Sequence, residues 1–107
     1  MSVRILSSVH RESVRIARYY DKRRPGLGAA FFDKYDEALE KIERNRFGYP
    51  RLESVETERD IRRVILNRFP YLLIYENIGE ETIVIALRHV SQDPLRHIPD
   101  GEAKPRD

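Results

Sequence analysis

Apolar positions along this chain change their spacing several times, and each change marks an element. Val3 to Leu6, "VRIL", is a short β-like opening closed by Ser7 and Ser8, either of which can cap a following helix through its hydroxyl. From Val9 to about Lys22 the period becomes helical, with Val14, Ala17 and Tyr20 in one stripe widened by Ile16 and Tyr19. "KRRPGLG" ends that helix: Pro25 disfavours helical geometry at Arg24, and Gly26 and Gly28 permit a sharp reversal. Phe32, Tyr35, Leu39 and Ile42 then recur at steps of three, four and three, predicting a second helix from about Ala29 to Arg44. Asp33, Asp36, Glu37, Glu40 and Glu43 fill most of its other face. Helices joined by so short a connection fold back as an antiparallel hairpin.

After a loop over residues 47–58, which contains Gly48 and Pro50 and has no sustained period, three β segments follow: Ile61–Asn67, Tyr71–Glu76 and Thr82–His89. Pro70 has a fixed φ and no amide proton, so it suits the entrance of the second segment better than its middle. Gly79 lies in the hairpin turn that the Asn77–Glu81 stretch forms between the last two. "TIVIAL" is apolar at nearly every position, which predicts a central strand covered on both faces. The element order β-α-α-β-β-β predicts an α+β domain, a helical hairpin packed on one face of a four-stranded, mainly antiparallel sheet. Residues 1–98 form one domain by this reading, and 99–107 a flexible C-terminal tail.

Composition narrows the chemistry. A chain of 107 residues builds one modest core. Twenty Lys and Arg against eighteen Asp and Glu leave a formal charge of only +2, so the placement of the arginines matters more than the total. There is no Cys, which excludes disulfides and thiolate metal sites. His10, His89 and His97 have no metal-ligand spacing, so no metal and no cofactor are expected. No nucleophile-elbow motif supports a serine triad, and "PGLG" lacks the Lys-Ser/Thr of a phosphate loop. No apolar run has the roughly 20 residues a membrane helix needs, and no signal-peptide pattern opens the chain, so a cytoplasmic location is expected.

Several linked pieces resemble the ParE/RelE superfamily of toxins from bacterial type II toxin–antitoxin modules, in particular its ParE-like plasmid stabilisation branch. These are the pair Tyr19–Tyr20, "PGLGAAF" from Pro25 to Phe31, "IRRVILNRFPYLLIYE" with Arg62, Arg63 and Arg68, and "ALRH" followed by Asp93–Pro94. The resemblance spans about residues 3 to 96 and implies the fold already predicted, with Phe69–Tyr71 as the turn between two strands. It implies a toxin neutralised by a cognate antitoxin, ParD-like or of another type II class. ParE-like members are described as poisons of DNA gyrase with no catalytic site of their own. RelE-like members cut messenger RNA on the ribosome with clustered Arg and Lys plus an acid–base residue. Here Leu72 and Val90 stand where the ribonuclease branch carries basic residues, and Ser91 and Gln92 replace an Arg pair. Those departures favour gyrase over the endoribonuclease alternative; they also admit a decayed toxin that binds only its antitoxin.

Target-binding candidates are Arg63, Arg68, Arg88, His89 and Arg96. Taken singly, each Arg reads as a solvated side chain whose ion pair contributes ~0–1 kcal/mol. Arg62 and Arg63 alternate across the sheet, so at most one of them shares a face with Arg88. Tyr19, Tyr20, Phe31 and Tyr35, with Phe32 beside them, are core residues by default; their number also suggests a groove for an antitoxin helix.

Overall fold

A computed structural model describes residues 3–52 and 58–98; the tail at 99–107 and part of the loop before the second strand lie outside the described residues. The order is β1 (Val3–Ile5), α1 (Ser7–Arg23), α2 (Leu27–Arg44), β2 (Asp60–Ile65), β3 (Tyr71–Ile78) and β4 (Glu81–His89). The sheet runs β1-β4-β3-β2, with β1 parallel to β4 and the other pairs antiparallel. Two helices packed on a four-stranded mixed sheet are the predicted α+β architecture.

Both helices start two residues earlier than their periodicity indicates. Leu6, not a serine, is the N-cap of α1, and no side chain caps it. The first turn closes instead through backbone bonds from Val9 and His10 to the Leu6 carbonyl. For α2 the cap comes from the other helix: Asp21 Oδ1 accepts from the amides of Gly26 (3.1 Å) and Gly28 (2.8 Å). Gly26 makes the reversal at φ +91.

Pairing and strand alternation assign the two sheet faces. Tyr71, Leu73, Tyr75 and Asn77 of β3 face the helices, since the Tyr71 ring meets those of Tyr20 and Phe31. Register adds Leu87, Val84 and Thr82 from β4 and Val64 from β2 to this face. Against it the helices bury Val9, Ile16, Phe31, Tyr35, Ala38 and Ile42. The opposite face carries Leu72, Ile74 and Glu76 in register with Arg88, Ala86 and Ile83. Six consecutive positions of β4, Thr82 to Leu87, are buried, so "TIVIAL" is covered on both sides. A register shift between Ile74 and Tyr75 leaves Ile85 as the extra residue of a bulge.

The β2–β3 connection bends at Arg68, whose φ is +76, and Pro70 sits just before β3. Gly79, at φ +58, takes the first of the two turn positions between β3 and β4. Among the described residues no helix is long and apolar enough to cross a membrane.

Candidate functional site

The candidate residues separate into two groups. Arg63 lies in register with Ile74 and Arg88 with Leu72, so both project from the sheet face away from the helices, on adjacent ranks. Arg62 turns to the helix side and is committed there. Its Nε donates to Asp60 Oδ1 at 2.9 Å, and Nη1 to the Phe47 and Tyr49 carbonyls at 2.7 and 2.9 Å. Arg63 is therefore the member of the pair that accompanies Arg88. Arg88 is half-buried; Nη2 donates to the His97 carbonyl at 3.3 Å, while its buried Nε has no partner. Arg68 is exposed on its turn at the same end of the sheet, and Arg96 is exposed in the turn that follows Asp93.

His89 belongs to the second group, on the helix side. Its ring meets Tyr71 edge to face with centroids 5.2 Å apart. Nδ1 accepts from the Ser91 amide at 3.1 Å and lies 2.8 Å from the Ser91 hydroxyl, so the neutral ring keeps its proton on Nε2. Gln92 Oε1 accepts from the His89 amide at 2.7 Å. Ser91 thus orients this imidazole, and Gln92 holds the backbone at His89.

Around His89 lies a cleft of about 290 Å³ lined by Arg15, Tyr19, Tyr20, Arg23 and Tyr71, with Ile16 at its base. Tyr19, 49% exposed, stands on the rim. The Arg23 guanidinium donates to its hydroxyl at 3.0 Å and sits 5.3 Å from its ring centroid. Tyr20 bridges the cleft to the core, edge-on to Phe69 at 5.0 Å and stacked on Phe31 at 6.1 Å. Burial pushes the Tyr20 and Tyr71 hydroxyls above the usual phenol range, so both remain neutral donors at physiological pH.

Two expected partner-contacting residues are corrected. Phe31 is 0% exposed and Tyr35 5%, both enclosed between the helices and the sheet. They stack on each other at 6.2 Å along α2, Phe31 also packs on Tyr20 of α1, and neither offers surface to a partner. Only Tyr19, Tyr20 and, at half burial, Phe32 remain accessible from that aromatic cluster.

Sequence reasoning passed over Arg15, Arg23 and Tyr71. Arg15 and Arg23 each fall one turn from Tyr19, on either side of it along α1, a spacing visible in the sequence once that helix is drawn. It also passed over Arg46, which is 7% exposed and holds the far end of the fold. Among the described residues no cluster of His, Asp and Glu is placed to hold a metal ion.

The family model for the ParE toxin of the type II toxin–antitoxin system parDE matches residues 3–94. No curated protein matches the chain. Among solved structures, the chromosomal ParDE toxin–antitoxin system from P. aeruginosa aligns with a TM-score of 0.71 at 16% identity, covering 83% of this chain and 95% of that one. At that identity the alignment is a likeness of fold. The family match spans nearly all of the sequence, and the chain belongs to the ParE toxin family of type II toxin–antitoxin systems.

Proposed function

We propose that this toxin is held inactive by a cognate antitoxin and acts on DNA gyrase in the cytoplasm, not on messenger RNA at the ribosome. The observation that carries the choice is Leu72. It is buried, apolar and in register with Arg88, on the sheet face where cleavage of an RNA backbone would need a second cation or an acid–base group. Arg63 on the adjacent rank has Ile74, not a titratable side chain, beside it. Glu76 on the same face is tied to Arg59, which donates to it at 3.0 and 2.8 Å, so Arg63 and Arg88 stand among aliphatic side chains and suit a protein partner or a phosphate better than proton transfer. Arg63, Arg68 and Arg88 are the target-contacting residues in this reading, with Arg96 near them and His89 at the same end of the sheet on its other face. Tyr19 and Tyr20 supply accessible aromatic surface for the antitoxin.

Purified chain added to gyrase tests this directly. Supercoiling should fall with toxin concentration and recover when the antitoxin, encoded by an adjoining reading frame, is added. Codon-linked cuts in cellular messenger RNA, with gyrase untouched, would instead install the ribonuclease reading, for which the Tyr71–His89 pair is the available acid–base group. Normal growth on expression without the antitoxin would mark the chain as a decayed toxin.

A further inference from the structure

The outer face of α1 carries a line of four cations, three of which have no counter-charge among the described residues. Arg11, Arg15, Arg18 and Lys22 recur at steps of four, three and four and so lie along one side of the helix. Arg15 is paired with Glu12. Arg11, Arg18 and Lys22 are exposed and have no ion pair or side-chain hydrogen bond among the described residues. Val14 and Tyr19 form an apolar floor between them, and together they line a groove of about 590 Å³. That groove shares Arg15 and Tyr19 with the cleft at His89. The two depressions adjoin at Arg15 and Tyr19, and together they make a track along α1 whose second part carries the rings of Tyr19, Tyr20, Tyr71 and His89.

We propose that this track binds single-stranded nucleic acid, its phosphates along the α1 cations and a base on the Tyr19–Tyr71–His89 rings. Two features favour this ligand over an acidic peptide. The cations are mostly Arg, whose planar fork takes a phosphate bidentately and also stacks on bases. The track ends on aromatic faces and edges, which every base complements through its own π face and an acidic side chain does not. The other helix sets the limits: exposed Asp33, Asp36, Glu40 and Glu43 repel a polyanion and confine it to α1. A groove beside one helix also suits a flexible strand better than a stiff duplex. The proposal goes beyond the toxin assignment and does not use the arginines assigned to the target.

Fluorescence anisotropy with the full 107-residue chain and labelled single-stranded DNA and RNA 12-mers tests it. Binding is expected to weaken with salt, with a log–log slope of about −2 to −3 for three or four neutralised phosphates. Tyr19→Ala should cost roughly tenfold in affinity and leave that slope unchanged, as loss of stacking does. Arg18→Gln with Lys22→Gln should flatten the slope by about one unit or more, whereas Glu40→Gln with Glu43→Gln should not weaken binding. Three results would overturn the proposal: no binding at low salt, duplex bound more tightly than single strand, or polyglutamate of equal charge competing as well as the oligonucleotide while Tyr19→Ala has no effect. The last would hand this face to an acidic polypeptide. Gyrase inhibition is read separately, so either reading can fail while the other stands.

Discussion

A methyl group at position 28 would lie 2.6 Å from the backbone carbonyl of Ala17, so Gly28 sets how closely the two helices approach. Gly28→Ala should therefore lower stability by roughly 1–3 kcal/mol, despite the better helix propensity of alanine, as read by urea denaturation. Asp21→Ala removes the side chain that caps α2 from outside it, and about 0.5–2 kcal/mol should follow. "PGLG" was legible as a turn because Pro25 and Gly26 dictate local backbone geometry. The partner carbonyl and the cap were not, because they come from α1 and exist only after the hairpin closes. Tyr75 gives a prediction of another kind. Its ring is 0% exposed, and burial raises its hydroxyl to about 12. An unfolded tyrosine ionises near 10, so above that pH the unfolded chain releases a proton that the folded chain retains. The stability that Tyr75 contributes is fully present below about pH 10 and is lost as pH rises toward 12. Tyr20, Tyr35 and Tyr71 are shifted in the same direction and add to the loss. In Tyr75→Phe the fall in denaturation midpoint over that range should be shallower. At neutral pH the variant should be about 1 kcal/mol less stable, for want of the bond to the Arg46 carbonyl.

At the scale of elements, the far end of the fold depends on a polar knot that no periodicity announces. Arg46, just past α2, donates to Asn77 Oδ1 at 2.9 Å and to the Gly79 and Glu81 carbonyls at 3.0 and 2.9 Å. Its own carbonyl accepts from Tyr75 and Asn77. Asn77 also donates to Asp60, and its Oδ1 accepts from Thr82. One arginine and one asparagine thus tie the exit of α2 to β2 and to the β3–β4 turn. Removing the guanidinium leaves buried acceptors without donors, so Arg46→Met should destabilise by about 3 kcal/mol or more. Asn77→Leu should cost a similar amount, and the double variant less than the sum, because both break one network. In the sequence, Arg46 falls between the second helix and the loop, and no spacing marks it. Its role depends on meeting a hairpin some thirty residues away, whereas the strands and helices declare themselves through spacing within a few residues. The capping of α1 failed for a related reason: serine is a good N-cap in general, but the chain leaves β1 so directly that Leu6 already holds that position.

Across the whole molecule, charge is sorted more strictly than the net value of +2 suggests. α1 presents cations, α2 presents carboxylates, and the sheet face turned away from both presents Arg63 and Arg88. The sequence reading grouped His89 with those arginines and Tyr19 with Phe31. Strand alternation and burial redraw both groups, since His89 sides with Tyr19 and Phe31 goes to the core. Arg88 then stands out energetically. It sits in register with Leu72 in an apolar setting, with a buried Nε that finds no acceptor and a single long bond from Nη2. Desolvating a cationic donor without a partner costs stability, and a residue retained at such a cost is better explained by binding than by folding. Methionine fills similar volume without the unmet donor. Arg88→Met should therefore leave the unfolding free energy within about 1 kcal/mol of the parent or raise it. The same variant, expressed without antitoxin, should lose growth inhibition by tenfold or more in the inducer needed for arrest, if the sheet face is where the target sits. A variant that stayed fully toxic would remove Arg88 from the target surface and shift attention to the α1 side. One that lost toxicity only by unfolding would show it in the denaturation midpoint, which is why both measurements belong to the same experiment.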